Sequence, residues 1–347
     1  MNEDGSLYKK IRIREIKEEV KDFKVFVFED EHNIKYQSGQ YLTLISYHNQ
    51  TEVRRSYSIT SSPALSEALS IGVKRVANGF FSRQLIDHTK EGDDILTIGS
   101  GGLFILPDDI QNYKQLFFFA AGSGITPIYS LIKTALHIFE HVSIVLVYSN
   151  ASEEKTAFLK ELKQLQQRFQ HRFRVEWLFS NSADLSRARL HRDLIVELIS
   201  TLKKENNSTL FYICGPESYM RLCTYTLQEK GIGPGNIKKE NFVIHTIPKA
   251  NAFPPDKKER VVEIRRGSTT YHVIVTYPDS ILKAAKKQGI LLPYSCEAGR
   301  CGNCVAKCTK GMVWHSYNEV LTERELKKGL VLTCVGHPVG GNLQLEI

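Results

Sequence analysis

The chain has 347 residues, 42% of them apolar, a formal net charge of +8 and seven cysteines. That length suits two or three domains rather than one core, while the longest apolar run, LFFFAA at 116–121, is far too short to span a bilayer. The start, MNEDGSLYKK, lacks the apolar core of a secretory leader, and the modest positive charge lacks the aromatic and basic clustering of a nucleic-acid surface. An odd number of scattered cysteines points to a reducing compartment, so the expected location is cytoplasmic.

From Tyr8 to about Gly102, six β-rich runs alternate with turn signals: KIRIREI, KVFVFED, YLTLISY, RRSYSIT, LSIGVKRV and DILTIGS. This periodicity predicts an antiparallel β-barrel or sandwich. One run carries Arg55-Ser56-Tyr57-Ser58, which places a cation, an aromatic face and a hydroxyl in succession. Taken alone, a solvated Arg beside a half-buried Tyr explains this tetrapeptide. Downstream, Gly79-Phe80-Phe81-Ser82 forms a glycine turn that opens a short helix, and helix starts suit phosphate. Together the two motifs resemble the FAD domain of the ferredoxin reductase superfamily. The resemblance implies that Arg55 and the helix start hold a pyrophosphate, that Tyr57 lies against a flavin ring and that Ser58 bonds near its N5. It also assigns Lys74, Gly79, Phe81 and Ser82 to FAD. The G-P-x-G-x-F segment of that family reads here Gly99-Ser100-Gly101-Gly102-Leu103-Phe104, with Ser in place of Pro.

Residues 114–240 change period. A buried strand KQLFFFA leads through the turn AGSGIT into a helix begun by Pro127, where a missing N–H is tolerated. Strands SIVLVYS, FRVEWLFS and TLFYICG then alternate with helices around 153–169, 189–203 and 217–230, the pattern of a parallel sheet covered on both faces. Gly122-Ser123-Gly124-Ile125-Thr126-Pro127 is G-x-G-x-x-P and fails the ordinary dinucleotide fingerprint. With Cys214-Gly215-Pro216 it resembles the pyridine-nucleotide domain of the same superfamily. That resemblance implies that Cys214 approaches the nicotinamide C4, and that Ser123 and Thr126 line the nicotinamide–flavin junction. It also gives Phe242, in Glu240-Asn241-Phe242, a weaker place beside the flavin. An inert buried thiol and a core Phe are the plain alternatives. No acidic residue ends FRVEWLFS to grip a ribose 2′-OH, whereas Ser180, Arg187 and Arg189 follow closely, which favours NADPH over NADH. The same arginines also suit a solvated helix start.

IPKANAFPPDKKER, residues 247–260, combines three prolines with a charge run and reads as a linker. Beyond it come a hairpin, VVEIRR, GSTT and YHVIVT, and a helix ILKAAKKQ stopped by Gly289, in β-grasp order. SCEAGRCGNCVAKCTKG then sets Cys296, Cys301 and Cys304 at C-x4-C-x2-C, with Cys334 downstream. This is plant-type [2Fe–2S] spacing, and Gly299 and Gly302 permit close backbone approach to a cluster. A structural zinc or two disulfides would also use four cysteines, but zinc more often takes paired C-x2-C units. The segment from about 258 onward resembles a plant-type ferredoxin, with two departures. Cys308 is an additional thiol, and the segment is basic, with 13 Lys and Arg against eight Asp and Glu from Lys258 to Ile347.

These readings give four segments: a FAD-binding barrel over 1–108, an NAD(P)H-binding α/β domain over 109–246, the linker, and a ferredoxin domain over 261–347. That order resembles the reductase components of multicomponent oxygenases, those of phenylacetyl-CoA epoxidases in particular. The resemblance implies electron flow from NADPH through FAD and the cluster to an oxygenase. The basic ferredoxin segment adds the expectation of an acidic docking face on the acceptor. Service to a desaturase or a flavodoxin-like carrier, and a non-catalytic redox-sensing module, stay open.

Overall fold

The computed structural model describes residues 7–203, 208–242 and 253–347. Tyr8–Phe242 forms one unit, and the described residues from 253 onward form another.

In the first unit, β1 (Lys9–Val20), β2 (Phe23–Phe28), β3 (Tyr41–His48), β4 (Thr51–Ser58), β5 (Ser70–Lys74) and β6 (Asp94–Gly101) match the six runs of the sequence. They pair antiparallel in the order β4-β3-β6-β1-β2-β5. An antiparallel bridge between Ile59 and Ile71 joins the two outer strands, so the sheet closes into a barrel rather than a sandwich. Alternation along β1 shows why: Ile11 and Ile13 face the core with Phe26, Leu42 and Val73, while Arg12 turns outward to Asp94 at 2.9 Å. The helix α1 (Phe80–Arg83) follows Gly79 and runs on as a π turn to His88.

The chain continues into a parallel sheet of β7 (Gln115–Ala121), β8 (Ser143–Asn150), β9 (Phe173–Phe179), β10 (Thr209–Cys214) and β11 (Ile237–Glu240), in the order β11-β10-β7-β8-β9. β7 is buried on both faces. Leu116 and Phe118 pack toward α2 (Ile125–Ile138), whereas Phe117 and Phe119 pack toward α5 (Arg192–Leu202) and α6 (Glu217–Glu229). The α2 helix starts two residues before Pro127, which costs nothing because first-turn N–H groups have no intrahelical partner. The expected helix over 153–169 is shorter. It is a 3-10 turn at Glu153–Lys155 and then α3 (Leu159–Arg168), separated by Phe158 at φ 57°. The expected helix over 189–203 begins only at Arg192, capped by His191, while α4 (Leu185–Ala188) is a separate turn and Arg189 is extended.

Barrel and parallel sheet share a core. Phe23, Val25 and Val27 of β2 belong to the same apolar cluster as Ile128, Leu131 and Ile132 of α2. Polar contacts fix the register between them. Thr134 Oγ1 lies 2.6 Å from both Ser38 Oγ and Ser62 Oγ, Ser130 Oγ donates to Ser61 O at 2.6 Å, and Lys133 is ion-paired with Glu67. At Gly39, φ is +88° and a Cβ would stand 2.0 Å from Phe104 O, so only glycine fits.

In the second unit, β12 (Arg260–Arg266), β13 (Thr269–Val275), β14 (Val305–His315), β15 (Leu330–Leu332) and β16 (Gly336–Glu346) form a mixed sheet in the order β13-β12-β16-β14-β15. β12 pairs parallel with β16 and antiparallel with β13, and the expected hairpin closes at Arg266 opposite Thr269. Helix α7 (Ile281–Lys287) is capped by Ser280 and packs Ile281, Leu282 and Ala285 inward, and Gly289 follows at φ 72°. A short helix α8 (Glu323–Lys327) starts in a Thr322/Glu325 capping box. Of the expected linker, residues 247–252 lie outside the described residues. Its later part is tied to this unit: Pro254 is buried, and Asp256 accepts hydrogen bonds from Arg260 at 2.6 Å and from Gly340 N at 3.2 Å.

Candidate active site and iron–sulfur centre

In a parallel sheet the ligand crevice lies beyond the strand C-termini where the strand order reverses. Here the chain steps from β7 to β8 and β9, then returns to place β10 on the other side of β7. The reversal therefore falls between the ends of β7 and β10, where Gly122–Gly124 and Cys214–Pro216 lie. The two loops touch backbone to backbone. A Cβ on Gly124 would stand 2.1 Å from Cys214 O, and one on Gly215 would stand 2.9 Å from Ala121 Cβ. Gly122, at φ +54°, faces open space, with only Lys74 Nζ nearby at 3.8 Å from where its Cβ would be. The end of β5 thus meets the nucleotide loop, an arrangement reinforced where a Cβ on Gly72 would collide with Thr126 Cγ2 at 2.5 Å. Thr126 Oγ1 in turn donates to Ser123 O at 2.9 Å.

Three side chains converge beside these loops. Ser58, at the end of β4 and 3% exposed, donates from Oγ to Glu240 Oε2 at 3.4 Å. Glu240, the last residue of β11, is paired in register with Cys214. Burial pushes the Glu240 carboxyl up to about 8, only partly offset by the Ser58 hydrogen bond, so it is largely neutral near pH 7. Burial, and then the nearby Glu240, also raise the Cys214 thiol. A fully buried neutral thiol is a packing and contact group rather than a nucleophile.

The other expected flavin residues divide by position along β4. Arg54 is the buried arginine, held by Glu52 at 2.6 Å and by the Tyr8 hydroxyl at 3.4 Å. Its neighbour Arg55 is exposed, with Nη1 donating to Arg54 O at 2.7 Å, and so presents cationic nitrogen outward. Tyr57, half-buried, has its ring 6.0 Å from Phe81, which is itself 5% exposed. Ser82 is spent locally, accepting from Val76 N at 3.1 Å and donating to Gly79 O at 3.3 Å. Phe81 and Ser82 thus shape the Gly79 turn from behind. An outward guanidinium, Lys74 and a half-buried Tyr beside a neutral carboxyl and hydroxyl form a donor set that fits FAD. The open space at Gly122 fits a nucleotide phosphate.

Phe242 is 43% exposed, and its segment matters through Glu240 instead. Glu240 was legible only as part of a motif. The signal that singles it out is a carboxylate ending the strand that registers against Cys214. At the sheet edge, Arg187 is committed to Glu176 on β9 and lies 3.9 Å from Glu197, while Arg189 is exposed and Ser180 follows the end of β9.

In the second unit the four expected cluster cysteines form two contacts, Cys296 with Cys301 and Cys304 with Cys334. Among the described residues, no three His, Cys, Asp or Glu side chains gather around a single metal position. Two neighbouring thiol pairs fit a cluster in which each iron takes two cysteines. All seven cysteines are unpaired by disulfides. The loop turns at two glycines in the left-handed region, which glycine adopts without strain. Gly299 and Gly302 have φ 69° and 73°, and a Cβ on Gly299 would stand 3.0 Å from Tyr317 O. Thr333 binds Cys304 O through both N and Oγ1 at 3.1 Å, which sets Cys334 beside Cys304. Cys308 lies on β14, with Sγ near Lys310 O and Gly311 O at 3.6 and 3.5 Å.

The basic residues of this unit are largely matched. Lys283 and Lys287 share Asp279, Lys286 pairs with Glu297 at 2.8 Å, Arg300 pairs with Glu319 at 2.9 Å, and Lys307 donates to Lys328 O. These five cations meet three carboxylates and a carbonyl, and the pairing leaves the segment's surplus of 13 − 8 = 5 positive charges unchanged. Among the described residues, no helix is long and apolar enough to cross a membrane.

Comparison with known proteins matches three segments of the chain to domain families. Residues 9–105 match the oxidoreductase FAD-binding domain, 118–224 the oxidoreductase NAD-binding domain, and 265–339 the 2Fe-2S iron-sulfur cluster binding domain. The chain is 28% identical to one of the subunits of the 1,2-phenylacetyl-CoA epoxidase of Escherichia coli (strain K12), over 90% of this chain and 88% of that one. It is also 28% identical to the ferredoxin reductase component of the 3-ketosteroid-9-alpha-monooxygenase of Mycolicibacterium smegmatis, over 98% and 97%. Among solved structures, phthalate dioxygenase reductase has a similar fold, with a TM-score of 0.59 at 24% identity over 99% of each chain.

Proposed function

We propose that this chain, an oxidoreductase of the ferredoxin reductase superfamily with FAD-binding, NAD-binding and [2Fe–2S] domains, carries electrons from NADPH to the oxygenase component of a multicomponent oxygenase. An epoxidase acting on phenylacetyl-CoA is one candidate acceptor, since the similarity to the epoxidase protein covers 90% of this chain, and a ketosteroid monooxygenase is another, with similarity over 98%. The observation that carries the reading is the meeting of Ser58, Glu240, Cys214 and the Gly122–Gly124 loop at one crevice, in a chain that also brings four thiols together in two pairs.

When bound, FAD takes the electron pair of a nicotinamide hydride and the cluster takes electrons singly. The protein supplies position. Gly124 keeps the nucleotide loop pressed on Cys214 O, so the loop N–H groups and the start of α2 are set for phosphate. Arg55 and Lys74 offer charge to the flavin pyrophosphate. Ser58 and the neutral Glu240 hold hydrogen-bonding capacity at the flavin edge without adding a negative charge. Cys214, neutral and packed, forms the contact surface for the nicotinamide. Cys296 with Cys301 and Cys304 with Cys334 would hold the irons of the cluster, which would accept electrons one at a time.

Domain boundaries near 108, 246 and 260 fit this division of labour, and seven unpaired thiols support a cytoplasmic setting. The positive surplus on the ferredoxin unit supports an acceptor with an acidic docking face. At the coenzyme edge, Ser180 and Arg189 are the groups disposed to meet a 2′-phosphate, while Arg187 holds Glu176 in place. Steady-state kinetics with both coenzymes test this. Arg189→Ala should lower kcat/KM for NADPH about tenfold, the size of one charge-assisted hydrogen bond, and leave NADH nearly unchanged. Equal loss for both coenzymes, or a wild-type enzyme that prefers NADH, overturns the NADPH assignment.

A further inference from the structure

The hairpin that joins β3 to β4 carries an aromatic pair outside the flavin groups described above. His48, the last residue of β3, meets Phe80, the first residue of α1, with ring centroids 4.3 Å apart and planes tilted by 48°. Both side chains are exposed, Phe80 at 43%. Ser46 Oγ donates to Gln84 Oε1 at 3.0 Å, so the strand end and the turn after α1 are tied side by side.

Register places this pair relative to the flavin groups. Residues opposite one another in an antiparallel pair share a face of the sheet. Alternation along β4 sets Tyr57, Arg55, Val53 and Thr51 on one face, and their partners on β3 are Leu42, Leu44, Ser46 and His48. Leu42, Leu44, Val53 and Tyr57 all pack in the barrel core, so this is the inner face, and it emerges from the barrel at the His48 end. Tyr57 meets Phe81 at one end of the row, and His48 meets Phe80 at the other. The exposed pair therefore lies beyond Arg55, on the side away from Tyr57 and Ser58, about 14 Å along the strand at 3.4 Å per residue. That order is the order of groups in a flavin dinucleotide: ring at Tyr57 and Ser58, pyrophosphate at Arg55, adenosine beyond. Adenine is flat and uncharged, and an aromatic side chain that is already in place gives it a stacking surface.

We propose that Phe80, backed by His48, is the platform on which the adenine ring of FAD stacks, an inference that rests on the flavin site placed along β4. FMN has the flavin and one phosphate but no adenosine. The contact thus raises affinity for FAD alone and makes Phe80 a residue that selects the dinucleotide.

The test uses the full-length protein, freed of flavin and titrated with FAD and with FMN by calorimetry, for wild type, Phe80→Ala, Phe80→Tyr and His48→Ala. Phe80→Ala should lower FAD affinity about tenfold, the size of one base–aromatic stack, and leave FMN affinity unchanged. Phe80→Tyr should restore FAD affinity. His48→Ala keeps the Phe80 ring and should lose FAD affinity in the same sense but less, and it is read by the same criteria should Phe80→Ala fail to fold. Equal loss for both flavins overturns the proposal, since Phe80 would then shape the barrel. Unchanged FAD affinity, a loss that tyrosine does not restore, or a wild-type protein that binds FMN as tightly as FAD overturns it as well. A wild-type protein that binds neither flavin would instead sink the flavin site itself.

Discussion

Glu240 shows how one residue links burial to function. An ordinary glutamate is ionised at pH 7, but this one is 8% exposed, with Ser58 Oγ as a donor at 3.4 Å, and burial raises it to about 8. The sign follows from proton binding. Between the ordinary value near 4.5 and about 8, the folded chain keeps a proton that the unfolded chain gives up, so stability falls as pH rises. The contribution is complete below the ordinary value and is lost as pH passes through the raised one. Glu240→Gln keeps the shape and cannot ionise. Melting profiles from about pH 5 to about pH 9 should therefore be flatter for the variant than for wild type, with the gap widening toward alkaline pH. Parallel profiles would show that Glu240 is ionised in the fold throughout. Hydride transfer should persist in the variant near pH 6, because a neutral amide replaces an already neutral acid.

At the scale of elements, the cluster loop between α7 and β14 separates ligands from bystanders. Cys304 is 5% exposed and meets Cys334, whereas Cys308 sits on β14 and meets only carbonyl oxygens. Cys304→Ser should cripple the cluster while leaving hydride transfer to the flavin intact, so ferricyanide reduction survives better than cytochrome c reduction. Cys308→Ser should keep its visible cluster absorbance, and loss of that absorbance would show the extra thiol to be a ligand. The strands and the cysteine loop were legible because period-two alternation and C-x4-C-x2-C spacing are local signals. The barrel closure at Ile59–Ile71, the glycine fit at Gly39 and the pairing of Ser58 with Glu240 were not. The last two depend on segments brought together from far apart in the chain, as Ser58 and Glu240 are, and the first on a connection that carries no periodic signal. Helix ends were misplaced for a related reason, since Phe158 at φ 57° breaks a run that its residue type does not mark. The ion pair between Arg187 and Glu176 was not legible either, because Glu176, inside β9, gives no sign in the sequence that its side chain reaches Arg187.

For the whole molecule, the proposed docking to an acidic acceptor face is a matter of charge. The composition of the ferredoxin segment is clearly basic, yet Asp279, Glu297 and Glu319 engage Lys283, Lys286, Lys287 and Arg300. The pairs are already counted in the surplus of 13 − 8 = 5 positive charges, so long-range steering should persist. Transfer to the true acceptor should slow between low and moderate salt, as the Debye length falls from roughly 30 Å at 0.01 M to 10 Å at 0.1 M. Reversing Lys286 and Lys287 to Glu should lower kon for the acceptor without changing hydride transfer measured by stopped flow. Indifference to both salt and reversal would place docking elsewhere or make it apolar. The central claim, that one chain converts a hydride into single electrons at a plant-type cluster, is tested most directly by EPR after anaerobic mixing with NADPH alone. The account predicts a rhombic [2Fe–2S] signal approaching about one spin per chain, as expected for a cluster that takes electrons singly, and its loss in Cys304→Ser. A signal raised by dithionite but absent with NADPH would contradict it.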